Sequence, residues 1–293
     1  MIQFLKKALR AGDSIVGMNN RNIGFVYPNN PRKNYPYAND KALTKQILEE
    51  NNIPTPTTFA IISNMWEVKD NVKKLDQHKA IVIKPAHGSG GGGILILNNE
   101  NGVWCDHSGK TFSFEQVVHH VASILYGVFS LGNSDKAIVE YCLTPHPFFT
   151  EIYKKGIPDF RILMYKKQAI MSMLRVPTKR SGGKANLHQG ALGIGVDMKN
   201  GRLTQGMYNN KYIDQHPDNN ALFAGKPLPD WDKTLQIACD TSLIFPLDYL
   251  GIDIIYDQDL GPLVIEINAR PGLQIQNVNK AGIIDEINKL NIK

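Results

Sequence analysis

Apolar positions recur every three or four residues in several parts of the chain, and this spacing predicts helices. In KALTKQILEENNIP the pattern begins with Lys41 in its first turn and ends before a proline. The same spacing predicts helices near 65–75 and 114–125, and a longer helix over 231–250. Residues 1–39, which are rich in Asn, Pro and Tyr, show no sustained period and predict an irregular arm.

Short apolar runs bounded by turn residues predict strands. They lie at 57–62, 80–84, 94–97, 137–141, 161–165 and 169–174, and in the closing pair IDIIYD and LVIEIN around QDLGP. Between the strand predicted at 169–174 and about Asp230 the chain is polar and contains several glycines, so no element is predicted in that stretch.

Composition narrows the class of protein. The 293 residues are 42% hydrophobic and 20% charged, as in a soluble globular protein, and the length favours roughly two domains. No stretch approaches the ~18 consecutive apolar residues of a membrane helix, and three cysteines do not make a disulfide framework. We therefore expect a cytoplasmic protein without stable membrane insertion. The net charge of +6 comes from scattered residues, so nucleic acid is not an expected partner.

The stretch IVIKPAHGSGGGGILIL, residues 81–97, joins two predicted strands through a run of small residues. One strand ends in Lys84 and the next leaves the run directly, which favours a hairpin with a glycine tip over a slack linker. The backbone N–H groups of such a tip, at Gly90, Gly91 and Gly92, can face a phosphate. Neither a Walker loop nor a dinucleotide fingerprint is predicted, because no Gly-Lys-Ser/Thr and no helix follow. A hairpin with a loose turn is the alternative that the glycines alone leave open.

Oxygen-bearing side chains cluster in the last predicted hairpin. Glu266 and Asn268 are two residues apart on one strand, so both project from the same face. Asp253 joins that face in either of two registers, the first opposite Glu266 and the second opposite Asn268. The second register puts the turn at 260–261. Two carboxylates and an amide oxygen among buried apolar residues need a partner, and Mg²⁺ prefers such ligands. The alternative is a polar face of an edge hairpin in contact with water.

Five motifs resemble those of ATP-grasp enzymes, and among these the alpha-L-glutamate ligase-related (RimK-like) branch. In chain order they are VIKPAHGSGGGGILIL, DFRILM, ANLHQGA, GIDII and VIEINARPGL. The resemblance implies an α+β, ATP-grasp fold in which two lobes, 40–140 with the glycine lid and 141–293 with the metal face, clasp ATP. The arm 1–39 stands where family members commonly have a complete α/β domain. A homo-oligomer or a partner subunit is therefore expected to complete the substrate site.

The resemblance also assigns roles in the nucleotide site. Lys41 and Lys84 match the two lysines that reach the α- and β-phosphates of ATP. The strand whose backbone reads adenine corresponds to Glu140, Tyr141 and Cys142. For Lys41, an exposed lysine in the first turn of a helix is the alternative.

Charged residues further along match the phosphoryl-transfer and metal groups of the family. Asp159 and Arg161 share a strand face in DFR, and Arg175 ends the next strand. The arginines would hold phosphate oxygens, although a solvated strand edge is the alternative for Arg175. The Mg²⁺ ligands of the family, for which Mn²⁺ is an expected substitute, correspond to Asp253, Glu266 and Asn268.

Two further segments match the substrate side of the family. The loop TKRSGGKANLHQGA, with Lys184, Asn186 and His188, would close near the acyl phosphate and the acceptor. Arg270 would fix a substrate carboxylate or the acyl phosphate, and a structural bridge under the final helix is its alternative. The stretch 207–231 departs from typical glutamate ligases and resembles ATP-grasp proteins associated with sugar transfer.

The activity that the resemblance implies is ATP-dependent ligation of a carboxylate to an amine. The acid attacks the γ-phosphorus of ATP, and the amine takes the acyl phosphate to give an amide. We expect a small-molecule or peptide acid and an amino acid such as glutamate as substrates. Positioning and electrostatics carry the reaction, so no cysteine is an expected nucleophile. A kinase acting on a hydroxyl and a nucleotide-binding regulatory subunit without turnover are the alternatives.

Overall fold

The computed structural model describes residues 14–88 and 91–290, so Gly90 lies outside the described residues. The chain divides into two compact units. Unit 1 is Met1–Ala38, Ile47–Pro54 and Thr144–Lys293, and unit 2 is Asn39–Gln46 and Thr55–Leu143. No helix in the described part of the chain is both long enough and apolar enough to cross a membrane.

Unit 2 is built on a six-stranded antiparallel sheet. Its strands are β1 Thr58–Ile62, β2 Ala80–Pro85, β3 Leu95–Glu100, β4 Val103–Cys105, β5 Thr111–Phe112 and β6 Ala137–Tyr141. Their order in the sheet is β1-β6-β2-β3-β4-β5. The helical segments are Met65–Glu67, Val68–Lys74, Leu75–Gln77 and Phe114–Leu125. The last helix was predicted with these bounds; one face of it, with Val117, Val121 and Ile124, packs in the same buried cluster as Ile81 and Ile83 of β2.

Unit 1 is built on a seven-stranded antiparallel sheet. Its strands are β7 Asp159–Tyr165, β8 Gln168–Val176, β9 Leu192–Asp197, β10 Arg202–Tyr208, β11 Lys211–Ile213, β12 Tyr249–Asp257 and β13 Gly261–Asn268. Their order is β11-β10-β9-β8-β7-β12-β13. The remaining helical segments of the chain are Met18–Asn20, Arg21–Val26, Tyr27–Asn29, Arg32–Asn34, Pro36–Asn39, Lys41–Glu50, Pro147–Ile152, Leu187–Gln189, Trp231–Ile244, Gln274–Asn279 and Ile283–Lys289.

The helix predicted over 231–250 is shorter than expected. It ends at Ile244, because Pro246 has no N–H to continue the helix and Phe245 before it is extended. The chain then enters β12 at Tyr249, so the last part of the predicted helix is a strand.

Two stretches predicted without regular structure contain regular elements. The polar stretch before Asp230 forms β9, β10 and β11. In β9, Leu192, Ile194 and Val196 alternate with Gly193 and Gly195. A Cβ atom at either glycine would collide with Val278 or Asn279, so packing requires glycine, which weakens the prediction of a strand. In the N-terminal arm, residues 18–29 form consecutive helical turns, π-helical over Arg21–Val26, whose Phe25 and Val26 are buried.

The closing hairpin adopts the first of its two predicted registers. Asp253 pairs with Glu266, and Gly251 pairs with Asn268. A bulge after Asp253 shifts the pairing, so that Asp257 pairs with Gly261 and the turn is not at 260–261. Asp253 and Glu266 therefore lie directly opposite each other on one face of the sheet.

Candidate functional site

The first charged cluster begins at the N-terminus of the Lys41–Glu50 helix. Asp40 caps the helix, because its Oδ1 accepts hydrogen bonds from the N–H groups of Ala42 at 2.9 Å and Leu43 at 3.1 Å. The cap fixes Lys41 in the first turn, where its Nζ donates to the carbonyl oxygen of Gly88 at 2.8 Å. Lys41 is thus tied to the start of the glycine loop and is not merely a solvated lysine.

A second lysine of the same helix binds a buried carboxylate. Lys45 lies one turn beyond Lys41, and its Nζ is 2.6 Å from Oε2 of Glu140. Nζ of Lys84 on β2 is 2.5 Å from the other oxygen, Oε1. Burial alone would raise the pKa of Glu140, but Lys84 and Lys45 hold it below its ordinary value. We call Lys45, Lys84 and Glu140 the lysine cluster.

The glycine loop is the run of small residues that joins β2 to β3. The two strands form the predicted hairpin, in which Ile83 pairs with Leu95. Gly91 and Gly92 are exposed, so their backbone is open to a ligand. Gly93 has a φ of +76°, and a Cβ atom there would overlap the ring of Phe129. The loop can therefore return to the sheet in this conformation only with glycine at position 93.

The second charged cluster lies in unit 1, on β7, β8 and β12. Asp253 pairs with Arg161 across β12 and β7, and Asp159 pairs with Arg175 across β7 and β8. Arg161 donates through Nε and Nη2 to the two carboxylate oxygens of Asp253. Arg175 donates to both oxygens of Asp159, at 2.5 and 2.6 Å, and to Oδ2 of Asp253 at 2.8 Å. We call these four residues the arginine–aspartate cluster.

The two aspartates of this cluster differ in their electrostatics. Burial and the neighbouring charge of Asp253 outweigh Arg175 and raise the pKa of Asp159 to about 6. Asp253 is just as buried, but Arg161 and Arg175 together hold its pKa below its ordinary value. Asp253 therefore carries the more persistent negative charge. The Arg175 side chain is only 13% exposed, so it does not lie at a solvated strand edge.

The donor set beside this cluster fits a hard divalent cation such as Mg²⁺. Glu266 lies directly opposite Asp253, and Nδ2 of Asn268 is 3.4 Å from Oδ2 of Asp253. Glu266 and Asn268 are half-buried, whereas Asp253 is 2% exposed. Two carboxylates, and an amide that can present its oxygen after a flip, are ligands that suit Mg²⁺. A cation held there would share the Asp253 carboxylate with the two arginines.

The loop predicted to lie near the substrate begins after β8. Asn186 has a local structural role, because its Oδ1 accepts a hydrogen bond from the N–H of His188 at 3.0 Å and caps the Leu187–Gln189 turn. The side chains of Lys184 and His188 are exposed. A ligand can therefore approach both of these basic side chains.

The remaining predicted residues lie at strand ends. Tyr141 and Cys142 are half-buried at the end of β6, where the N–H of Tyr141 donates to the carbonyl oxygen of Thr57 at 2.9 Å. Arg270 follows β13, and its guanidinium carbon lies 4.8 Å from the centre of the Tyr35 ring.

Within residues 14–88 and 91–290, no three His, Cys, Asp or Glu side chains are arranged to hold a metal ion. The oxygen set of Asp253, Glu266 and Asn268 has two carboxylates and an amide, and it stays a prediction as a metal site.

The family of the chain follows from its sequence as a whole. A family model described as sugar-transfer associated ATP-grasp matches residues 20–291. The chain belongs to this family. The match agrees with the resemblance of residues 207–231 to sugar-transfer associated proteins, whereas the glutamate ligase-related branch stays a prediction. No curated protein matches the chain significantly.

Solved structures show the same ATP-grasp fold. Biotin carboxylase from Campylobacter jejuni has a TM-score of 0.53 at 10% identity over 86% of this chain and 45% of its own. D-alanyl-alanine synthetase A from Vibrio cholerae O1 biovar eltor has a TM-score of 0.52 at 12% identity over 86% of this chain and 63% of its own. The biotin carboxylase domain of 2-oxoglutarate carboxylase from Hydrogenobacter thermophilus has a TM-score of 0.51 at 14% identity over 87% of this chain and 45% of its own. The chain thus spans less than two thirds of the length of each of these proteins.

Several residues that shape the lysine cluster or the loop after β8 were not predicted from the sequence. Lys45 could have been found, since it lies one turn from Lys41 on the same helix. His216 could not, because its role is tertiary: it is fully buried, and its ring nitrogen Nε2 is 2.9 Å from the carbonyl oxygen of Pro177. Oδ2 of Asp218 accepts a hydrogen bond from the N–H of Lys179 at 2.7 Å. The stretch 207–231 thus fixes the start of the loop that carries Lys184 and His188.

Proposed function

We propose that this chain is an ATP-dependent carboxylate–amine ligase that forms ADP through an acyl phosphate. The observation that carries the proposal is the arginine–aspartate cluster beside Glu266 and Asn268, which joins two guanidinium groups to an oxygen donor set on one sheet. Groups of this kind stabilise the charge that develops on a transferred phosphoryl group. Membership of an ATP-grasp family supports ATP as the phosphoryl donor, with Mg²⁺, or Mn²⁺ in its place, as the metal.

The lysines and the glycine loop would bind the phosphates of ATP. Lys84 is only partly exposed and sits at the end of β2, and Lys41 contacts the loop itself. Mg²⁺ held by Asp253, Glu266 and Asn268 would neutralise phosphate charge during the transfer. Arg161 and Arg175 orient the Asp253 carboxylate and add positive charge beside it.

The chemistry of the acid and the amine needs no nucleophile from the protein. The acid oxygen attacks the γ-phosphorus and ADP leaves; the amine then attacks the acyl carbon and phosphate leaves. Arg270 would hold the acid, and the exposed basic side chains Lys184 and His188 would lie on the substrate side. Cys105, Cys142 and Cys239 lie outside both charged clusters and are not assigned a role.

Two observations bear on the class of substrate. The family is described as sugar-transfer associated, which supports an acid or an amine carried on a sugar. The fold also occurs in a D-alanyl-alanine synthetase, which supports an amino acid such as glutamate as one partner, as in the RimK-like branch. Amide formation on a sugar-linked substrate is the proposal that joins the two.

The test is ADP and phosphate release from ATP and Mg²⁺. The reaction is run with pooled sugar acids, amino sugars, amino acids and short peptides, each pool present or omitted, and the products are analysed by mass spectrometry. We expect ADP formation that needs both an acid and an amine, with a product whose mass is that of both substrates less one water.

Matched variants assign the activity to the site. Glu266→Gln removes one carboxylate of the donor set, and we expect ADP formation to fall on the order of 10²-fold or more. Asp259→Asn changes an exposed carboxylate in the turn of the same hairpin and should leave the rate unchanged. A phosphate ester as the product would instead identify a kinase. ATP binding that no pool converts to turnover would favour a regulatory role or the need for a partner subunit.

A further inference from the structure

The N-terminal segment, residues 14–38, contacts the three residues that follow β13, the strand that carries Glu266 and Asn268. Nδ2 of Asn30 donates to the carbonyl oxygen of Ala269 at 2.8 Å. Nη1 of Arg21 donates to the carbonyl oxygen of Pro271 at 3.3 Å. Between these two, the guanidinium of Arg270 lies over the Tyr35 ring at 4.8 Å. One segment therefore contacts each of three consecutive residues directly after Asn268.

Asn30 is the fixed point of this arrangement. It is 1% exposed, and its Nδ2 also donates to the carbonyl oxygen of Tyr249 at 2.7 Å. Its Oδ1 accepts hydrogen bonds from the N–H groups of Asp248 and Tyr249, both at 3.1 Å. The amide thus uses both donors and both acceptor positions. Since Tyr249 begins β12 and Ala269 follows β13, Asn30 closes the open end of the hairpin that carries the metal candidates.

Tyr35 orients Arg270 through its ring. Its hydroxyl group is buried and has no hydrogen-bond partner within the part of the chain that the structure describes. The ring face is therefore what the residue offers to Arg270. A guanidinium whose carbon lies over a ring face can leave the N–H groups at its edge available, and these groups can bind a carboxylate through two hydrogen bonds.

Arg270 remains open to a ligand in spite of these contacts. The residue is exposed, although its backbone neighbours on both sides are held by the N-terminal segment. It follows Asn268, the last residue of β13, by two residues. Both the position and the free edge of the guanidinium suit an anionic group of a substrate.

We propose that the N-terminal segment positions Arg270 as the receptor for a carboxylate of the acid substrate. This inference rests on the proposed ligase function for the identity of the ligand. Tyr35 and Asn30 are positioning residues: Tyr35 sets the plane of the guanidinium, and Asn30 sets the backbone from which it extends. The segment then acts on the affinity for the acid and leaves the affinity for ATP unchanged.

Kinetics of matched variants test the assignment, with the acid of the panel that gives the highest turnover. Tyr35→Leu removes the ring, and we expect the KM for the acid to rise roughly 2- to 30-fold, with kcat and the KM for ATP within twofold. Tyr35→Phe keeps the ring and should restore the low KM. Tyr27→Leu alters a tyrosine of the same segment that is 50% exposed and serves as the control. An equal rise in both KM values, or none for Tyr35→Leu, overturns the proposal.

Two further measurements keep the result clear. Arg270→Lys changes an exposed residue, so it can be measured even if Tyr35→Leu does not fold, and it too should raise the KM for the acid alone. If wild type forms no ADP with any acid, the proposed function fails, and the positioning is then tested without substrate. Phenylglyoxal labelling of Arg270, followed by peptide mass spectrometry of the full chain, should be faster in Tyr35→Leu than in Tyr35→Phe. Equal labelling rates overturn the positioning role.

Discussion

Glu140 offers the sharpest test of the lysine cluster. Glu140→Gln removes one negative charge with almost no change in volume. The wild-type side chain is 5% exposed and lies 2.6 Å from Nζ of Lys45 and 2.5 Å from Nζ of Lys84. The side chains of Lys45 and Lys84 are only 6% and 13% exposed. Water can therefore hydrate their ammonium groups only in part once the carboxylate is removed.

The expected loss of stability follows from this geometry. Removal of one partner of a buried ion pair costs about 3–5 kcal/mol, because the other charge is left uncompensated. The glutamine oxygen still accepts one hydrogen bond, which returns about 1 kcal/mol. We therefore expect the free energy of unfolding of unit 2 to fall by roughly 2–4 kcal/mol. This is a large part of the total for a typical protein, whose free energy of unfolding is about 5–15 kcal/mol.

Urea unfolding monitored by tryptophan fluorescence measures this loss. The chain has three tryptophans, and in a Trp231→Phe background the remaining two, Trp66 and Trp104, both lie in unit 2. The fluorescence then reports on unit 2 separately, which matters because a protein of two units need not unfold in a single step. Glu115→Gln, at an exposed position of the same unit, is the control.

The pH dependence gives the same test a second readout. Because the folded-state pKa of Glu140 is lowered, its stabilising contribution is present above the ordinary pKa of 4.5 and is lost as the pH falls through the folded value. Wild type should therefore lose more stability in acid than Glu140→Gln does. A variant within about 0.5 kcal/mol of wild type at pH 7, the range of surface substitutions, would refute the assigned role of Glu140.

Three further changes test unit 1. Asp159 has a folded-state pKa raised to about 6, so its contribution to stability is present below its ordinary pKa of 3.8 and is lost as the pH rises through 6. Urea unfolding across this range should show a smaller decline for Asp159→Asn, and parallel curves would contradict the assignment. Asn30→Ala removes four hydrogen bonds of a buried amide, so calorimetry should show that the free energy of unfolding falls by about 2–4 kcal/mol. A fall of less than about 1 kcal/mol would show that Asn30 does not close the hairpin. Gly156 has a φ of +86°, and a Cβ atom there would overlap the carbonyl oxygen of Gly183, so Gly156→Ala should lower the melting temperature and expose the 178–190 loop to proteolysis, whereas unchanged cleavage would argue against this contact.

Local patterns predicted those elements whose burial follows a simple period. The Phe114–Leu125 helix has apolar residues on one face and a capping box in which Ser113 accepts a hydrogen bond from the N–H of Gln116, and both signals are local. The common face of Glu266 and Asn268 likewise follows from strand geometry alone. The β9 strand was missed because glycines occupy its alternate positions and are typical of turns. They are required there by Val278 and Asn279 of the Gln274–Asn279 helix, a tertiary contact that no local pattern records.

The charged clusters show where sequence reasoning stops. Glu140 was assigned through its backbone at the end of a buried strand, but its side chain pairs with Lys45, which lies 95 residues earlier in the chain. Only the tertiary fold brings them together. A buried carboxylate in the apolar run AIVEY does signal that a cation must be near, since an unpaired charge would be costly there. That signal gives the need for a partner and not its identity.

The pairing of Asp253 with two arginines also bears on how the metal face would work. Removal of Arg175 would leave Asp159 buried without its bidentate partner, and removal of Arg161 would strip Asp253 of two hydrogen bonds. The arginines therefore stabilise the folded protein, in addition to the charge that we propose they supply for phosphoryl transfer. A loss of activity in either variant would by itself say little about chemistry, because the buried carboxylates would also be displaced. Glu266 is half-buried and lies directly opposite Asp253, so Glu266→Gln tests the donor set while both arginines and both aspartates stay in place.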